Sequence, residues 1–171
     1  VYIFGRGPSL GDATKFDFSD GVRIVCNQIV RDETLMKHLN PHFISACDHA
    51  WYYGCSKVAD YFRKDLAKYV FNNDVLFLMP IDIYPLFIYH HPEIEEKIIG
   101  IPYNEIEYNL NLIDIFSIKG SVGVFHELLF PVACTIGNNI IILGIDGKAP
   151  KDQSDRIWTY AMATDYPEEI I

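Results

Sequence analysis

Two glycines, a proline and a serine follow the first apolar run of the chain, in the stretch VYIFGRGPSLGD. Gly5 and Gly7 permit positive φ angles and a close approach of the backbone, Pro8 fixes the next turn, and Ser9 adds a hydroxyl beside backbone N–H groups. Consecutive N–H groups in such a turn form a concave anion site. The stretch therefore predicts a phosphate cradle, although a purely structural turn fits the same spacing. It lacks the third glycine of the dinucleotide fingerprint and the Gly-Lys-Ser/Thr of a P-loop.

Further polar residues follow other apolar runs. Asn27 comes directly after RIVC, Asp48 follows FISAC, and Asp146 follows IIILGI. Open α/β sheets bind ligands at the carboxyl ends of their strands, so these side chains are candidates for a site if the runs are parallel strands. His49, beside Asp48, is a candidate proton acceptor, and a core or surface histidine fits the same position.

The apolar runs indicate which elements position these residues. Short runs rich in β-branched and aromatic residues, bounded by turn residues, are predicted as buried strands. They are Val1–Phe4, Val22–Cys26, Phe43–Cys47, Val75–Met79, Leu112–Phe116 and Ile140–Leu143. Helical spacing separates several of them, and alternation of strand and helix favours a parallel sheet. We therefore predict an α/β, Rossmann-like single domain over residues 1–171, with a mostly parallel sheet flanked by helices.

Two helices are predicted with defined ends. In Ser56–Tyr69 the apolar residues share one face and the charged residues take the other; the predicted buried face is Val58, Tyr61, Phe62, Leu66 and Tyr69. The second helix spans Gly120–Gly137, with Ser121 as its cap, Gly137 as its end and a kink at Pro131. Prolines, aromatics and the acidic run PEIEEK between residues 81 and 112 indicate an irregular inserted subregion or lid.

Composition limits the classes of partner. The formal net charge of −9 disfavours nucleic acid, because non-specific binding to a polyanion requires a basic surface. No apolar run reaches the length of a bilayer span. The four cysteines form no CxxC pair, and we expect reduced thiols, as in the cytosol. We predict a cytoplasmic protein, with peripheral contact at the inner membrane as a further option and no predicted oligomeric state.

Four motifs in order give the chain a family resemblance. They are IFGRGPSLGD, RIVCNQ, GSVG before a predicted helix, and IIILGID. The set resembles bacterial sialyltransferases that build lipooligosaccharide caps, and their motility accessory factor relatives, which glycosylate flagellin with sialic-acid-like sugars. The landmarks span Val1 to Asp146, with the middle unaligned. Archaeal-type pterin pyrophosphokinases share the GxGPSL and GVD landmarks.

The resemblance implies a nucleotide-sugar site. The donor would be a CMP-sialic-acid-like sugar nucleotide, and the acceptor a hydroxyl of a glycan or protein. A leaving group with one phosphate requires no metal or other cofactor. The implied donor-binding residues are Gly5, Arg6, Gly7, Pro8, Ser9, Asn27, Gly120, Ser121, Gly144, Asp146, Lys148 and Tyr160. Ser121, with the N–H groups of its turn, would bind an anion.

The chain departs from the family pattern at several of these positions. Arg6 replaces the usual Asn of the GxG turn, and its guanidinium could bind phosphate or point outward. Asp48 stands where the sialyltransferases carry Asn, so an amide donor is lost. Lys148 occupies the place of a phosphate-binding tyrosine, and Tyr160 is a second candidate for that role.

The general base is the open question in the family comparison. The sialyltransferases use a histidine beyond the GID motif, and no histidine follows His126 here. Asp146, Asp48 and His126 are the candidate catalytic residues, with His49 as a further histidine near a strand end.

Two other functions remain open from the sequence. One is a pterin pyrophosphokinase-like transferase using ATP and magnesium, held by an acidic pair near Asp146 and Asp48. The other is a non-catalytic nucleotide-binding module, which the missing histidine and the changes at Arg6 and Asp48 motivate.

Overall fold

One parallel sheet of six strands organises the protein, for which a computed structural model describes residues 1–105, 107–121, 123–147 and 165–166. The strands of the chain are β1 (Tyr2–Phe4), β2 (Arg23–Cys26), β3 (Phe43–Ser45), β4 (Leu76–Pro80), β5 (Ile98–Ile101), β6 (Tyr103–Asn104), β7 (Ile118–Lys119) and β8 (Ile141–Leu143). The sheet order is β5-β4-β3-β2-β1-β8, and β6 and β7 form a separate parallel pair. The predicted Rossmann-like α/β architecture with a parallel sheet is confirmed.

The direction of sheet growth reverses at β1. From β1 the chain adds β2, β3, β4 and β5 on one side, and β8 later pairs with the other side. Phe4 is therefore in register with both Val25 and Leu143. Ligands of open α/β sheets bind in the crevice at such a switch point, outside the carboxyl ends of the strands. The loops after β1 and β8 lie at this crevice.

Helical segments connect the strands. The α-helices are α1 (Glu33–Leu39), α2 (His49–Tyr53), α3 (Lys57–Asn72), α4 (Tyr84–His90) and α5 (Phe130–Ile136). Shorter 3₁₀ segments are Pro8–Lys15, Asn27–Arg31, Ile81–Ile83 and Pro92–Lys97, and Phe125–Leu129 is π-helical. The side chains of Asp32, Asp48 and Ser56 cap α1, α2 and α3, each accepting the backbone N–H three residues on. Each such cap stabilises its helix by about 1 kcal/mol.

The predicted amphipathic helix is confirmed as α3, with Ser56 as its cap. Val58, Phe62 and Leu66 are buried in the core. Tyr61 was predicted on the same face but is 45% exposed. Its position next to Phe62 turns it about 100° away from the buried stripe.

The predicted buried strand Leu112–Phe116 is wrong. Residues 112–114 form a turn, and Ile113 is 80% exposed. Asparagine side chains replace a strand ladder as backbone partners: Asn111 Oδ1 accepts the Ile113 N–H, and Asn109 Nδ2 donates to the Ile115 carbonyl. Such local side-chain bonds favour turns over strands.

The helix predicted over Gly120–Gly137 begins later and is irregular. Its helical part runs through the π-helical segment Phe125–Leu129 and then α5, which ends at Gly137. Ser121 therefore precedes the helix and is not its cap. Pro131 lies in the first turn of α5, where its missing N–H breaks no α-helical bond of α5 itself. The hydrogen-bond register changes from π-helical to α-helical at Phe130, one residue before Pro131.

The segment from residue 81 to 112 holds α4, short turns and the edge strand β5 of the main sheet. In the described parts of the chain, no helix combines the length and hydropathy that a bilayer crossing demands.

Phe62→Ala tests the core that supports the sheet. Phe62 is fully buried and its ring packs 4.3 Å, centroid to centroid, from Tyr52. We expect a loss of about 3–5 kcal/mol in the free energy of unfolding, because the cavity cannot fully collapse. Denaturant unfolding monitored by circular dichroism measures it. The neighbouring Tyr61→Ala, on the exposed face, should change stability by less than about 1 kcal/mol; equal losses would contradict the assigned faces.

Candidate functional site

Hydrogen bonds join the loops after β1 and β8. The backbone N–H of Gly5 donates to the Leu143 carbonyl at 2.8 Å, and that of Gly7 to the Gly144 carbonyl at 2.7 Å. The Gly144 N–H donates to Ser9 Oγ at 2.7 Å. The Ser9 N–H donates to Oδ2 of Asp146 at 3.0 Å. The amides of Gly5, Gly7 and Ser9 thus have acceptors within the protein, and Asp146 occupies the anion position of the turn.

The backbones of these loops approach so closely that side chains are excluded. A Cβ on Gly5 would lie 2.3 Å from the Gly144 carbonyl oxygen, and one on Gly7 would lie 2.3 Å from Asp146 Oδ2. Gly144 also has a φ of +73°, in the left-handed region that favours glycine. These glycines are required by the contact between the loops.

Arg6 points back into the protein. Its guanidinium donates to Gln28 Oε1 at 2.7 Å and to Asp165 Oδ1 at 2.5 Å. Gln28 Oε1 also accepts the hydroxyl of Tyr52 at 2.8 Å. Arg6 therefore connects the first loop, through Gln28, to a tyrosine that lines the neighbouring cleft.

A cleft of about 770 Å³ opens beside these loops, at the carboxyl ends of β2 and β3. Its lining residues come from those strand ends, from α2, from β6, from the turn before the π-helical segment and from that segment itself. They are Asn27, Cys47, Asp48, His49, Ala50, Tyr52, Tyr103, Gly120, Ser121, Gly123, Val124 and Glu127. We call this cavity the strand-end cleft.

Asn27 occupies a strained position in the strand-end cleft. Its φ is +56°, which is uncommon for a residue other than glycine. Its Oδ1 is buried and has no hydrogen-bond partner among the described residues. Strained backbone and unsatisfied buried polar atoms both concentrate at functional sites. Asn27 is therefore a strong candidate ligand-binding residue.

His49 and Asp82 form a hydrogen-bonded pair at the cleft. His49 Nε2 lies 2.8 Å from Asp82 Oδ2, and the His49 ring stacks on Tyr103 with centroids 6.3 Å apart. A carboxylate on one ring nitrogen fixes the orientation of the imidazole and leaves the other nitrogen for proton transfer. Asp48, the residue before His49, accepts the Trp51 N–H at 2.8 Å. This cap holds α2, and with it His49, at the strand end.

Glu127 is a buried carboxylate in the wall of the cleft. It is 4% exposed and lies in the π-helical segment. The Tyr103 hydroxyl donates to its Oε1, and the Ser121 N–H donates to its Oε2 at 3.1 Å. Insertions of a π turn are frequent at functional sites, because they redirect side chains.

Burial and Glu127 set the protonation of two neighbours. Burial, and then the hydrogen bond to Glu127, raise the pKa of Tyr103 above its ordinary value. Burial, followed by the Glu127 charge, raises the pKa of the Cys47 thiol. Tyr103 is therefore a hydrogen-bond donor at neutral pH, and Cys47 is a neutral thiol with little nucleophilic character.

The structure divides the predicted site residues into two groups. Asn27, Asp48, Gly120 and Ser121 line the strand-end cleft. The predicted residues of the joined loops are Gly5, Arg6, Gly7, Pro8, Ser9, Gly144 and Asp146. Lys148 and Tyr160 lie outside the described residues. His126 is exposed, its carbonyl accepts the Tyr108 hydroxyl, and the next residue, Glu127, lines the cleft in its place.

Sequence reasoning missed Glu127, Tyr103 and Asp82. A signal existed for Glu127, which is a lone acid in the apolar stretch VFHELLFPVAC. Tyr103 and Asp82 carry no such signal, because both lie in the segment between residues 81 and 112 that has no clear periodicity.

Comparisons of the chain with protein-family models, curated proteins and solved structures found no match. The chemistry of the site is therefore argued from its own geometry. That geometry offers an oriented histidine, the buried carboxylate of Glu127, the exposed carboxylate of Asp48 and an amide oxygen without a partner among the described residues.

Gly5→Ala tests the contact between the loops. The added methyl would collide with the Gly144 carbonyl, so we expect a loss of about 1–3 kcal/mol in the free energy of unfolding. Gly11→Ala is the matched control, because a Cβ there meets nothing within 4 Å, and it should change stability by less than about 0.5 kcal/mol. Equal thermal midpoints for the two variants would show that the loops do not meet as described.

Proposed function

We propose that this chain binds a nucleotide-activated sugar and transfers the sugar to a hydroxyl acceptor. The observation that carries the proposal is the strand-end cleft, where Asn27, Asp48 and Ser121 come together with the His49–Asp82 pair. The motifs that resemble sialyltransferases supply the donor class, a CMP-sialic-acid-like sugar nucleotide. The acceptor is a hydroxyl of a glycan or of a protein such as flagellin.

His49 is the proposed general base. With the Nε2 proton donated to Asp82, the lone pair of the imidazole lies on Nδ1. Nδ1 takes the proton from the acceptor hydroxyl as its oxygen attacks the anomeric carbon. The bond between that carbon and the phosphate oxygen breaks, and the nucleotide leaves with the electron pair. A single displacement of this kind inverts the anomeric centre.

The pairing with Asp82 gives His49 two properties that a base requires. The carboxylate holds the ring in one orientation and stabilises the imidazolium that forms when the proton arrives. The Tyr103 ring stacks on one face of the imidazole and limits the movement of the His49 side chain. His126 has no comparable carboxylate partner among the described contacts, and it does not line the cleft.

A nucleotide panel read by thermal shift tests the donor class. We expect CMP and CDP to raise the melting temperature more than AMP or NAD, because a ligand that binds only the folded state stabilises it. ATP is included in the panel, and each nucleotide is measured with and without magnesium.

The panel is combined with an assay for turnover of CMP-sialic acid, and each outcome selects one function. No shift with any cytidine nucleotide would contradict the proposal. A shift with ATP that requires magnesium would favour the pyrophosphokinase-like reaction. Binding of CMP without any turnover of CMP-sialic acid would favour a non-catalytic module.

His49→Gln tests the general base. We expect the rate of CMP release from CMP-sialic acid to fall about 100-fold or more, with a small change in KM, because general-base catalysis contributes about 10²–10⁴-fold. Asp82→Asn should lower kcat less, since it disturbs only the orientation of the ring. The control is His90→Gln, an exposed histidine outside the cleft lining. A His49→Gln enzyme with the full kcat would assign the base to another group.

A further inference from the structure

The end of the strand-end cleft formed by Tyr103, Gly120, Ser121 and Glu127 differs from an anion site. We call it the acidic end. We propose that the acidic end binds an uncharged, hydroxyl-bearing part of the substrate, a neutral sugar ring of the acceptor, and that phosphate binds outside it. This inference rests on the proposed function, because it assigns a substrate part to the same cleft.

Two hydrogen-bond donors at this end, the Ser121 N–H and the Tyr103 hydroxyl, already have an acceptor in Glu127. The Ser121 N–H donates to Glu127 Oε2 at 3.1 Å. The Tyr103 hydroxyl donates to Glu127 Oε1. A phosphate at the Gly120–Ser121 turn would have to displace a carboxylate that is 4% exposed and anchored in a helical segment.

The charge of the lining also opposes an anion. Asp48 and Glu127 contribute two carboxylates, His49 is paired with Asp82, and the described lining includes neither lysine nor arginine. Like charges in a partly buried cleft repel more strongly than in water, because the effective dielectric constant is lower. A phosphate or a sugar carboxylate would therefore be disfavoured at the acidic end, beside Glu127.

Acceptor atoms without partners point to a ligand that donates hydrogen bonds. Elsewhere in the lining of the same cleft, Asn27 Oδ1 is buried and has no partner among the described residues. The carboxylates of Asp48 and Glu127 can each accept more bonds than they have here, since an ionised carboxylate has about four acceptor positions. Sugar hydroxyls donate and carry no charge, so they match this set. Phosphate oxygens, which are acceptors, do not.

Amide-resolved NMR titrations of the full chain test this assignment without any nucleotide. Inorganic phosphate and methyl β-galactopyranoside are titrated separately against the ¹⁵N-labelled protein. We expect the galactoside to shift the amides of Ser121, Gly123 and Tyr103, and phosphate to leave them unchanged. Glu127→Gln should weaken the galactoside about tenfold, the size expected for a hydrogen bond to a charged group.

Two further variants serve as a control and as a second test of the carboxylates. Glu96→Gln makes the same chemical change at an exposed site outside the cleft and should leave both titrations unchanged. Asp48→Asn removes the other carboxylate and should also weaken the galactoside, which covers the case in which Glu127→Gln does not fold.

Three results would overturn the inference. They are phosphate shifts at Ser121 in the unmodified chain, galactoside shifts confined to other surfaces, and no shifts with either probe. Failure of the nucleotide panel is a separate result, because the sugar titration contains no nucleotide. A chain that binds CMP and also shows phosphate at Ser121 would retain the proposed function and lose only the acidic-end assignment.

Discussion

The contact between the backbones of Gly5 and Gly144 is the constraint on which the rest of the site depends. A Cβ on either glycine would lie within 2.3 Å of the opposite carbonyl oxygen, so only glycine permits β1 and β8 to end side by side with their loops joined. That contact fixes the switch point of the sheet, where α/β folds bind ligands. It also brings Asp146 onto the Ser9 N–H. The glycines of the GRGPS turn therefore have a structural reason that is independent of any phosphate.

The joined loops bond to each other, and the candidate reactive groups lie at the neighbouring strand ends, in the strand-end cleft. Asp146 and Ser9 are bonded to each other, whereas Asn27 Oδ1, in the strand-end cleft, is buried without a partner among the described residues. The cleft combines an oriented histidine with carboxylates, which suits proton transfer from a hydroxyl. Its acidity selects for ligands that donate hydrogen bonds. In this account the carboxylate of Asp82 orients the proposed base, His49, and the carboxylate of Glu127 sets the selectivity of the acidic end.

The sequence predicted the parts of the fold that depend on local pattern. β1, β2, β3, β4 and β8 are short, mostly apolar runs, and α3 has clear helical spacing. Prediction failed at Leu112–Phe116, because Asn109 and Asn111 bond the backbone into turns. It also failed to find the β5 strand and the π-helical segment, which depend on tertiary pairing and hydrogen-bond register. The motifs led to Asn27 and Asp48, whereas Asp82 and Tyr103 reach the cleft only through the fold.

Hydrogen–deuterium exchange of the full chain with and without CMP tests the central claim most directly. The account predicts slower exchange in peptides that cover residues 27–31 and 47–53, at the carboxyl ends of β2 and β3. Unchanged peptides in α4, which contributes no residue to the lining of the strand-end cleft, provide the internal reference. Protection confined to the groove between α1 and α3, or no protection at saturating CMP, would contradict a nucleotide-sugar site at the strand ends.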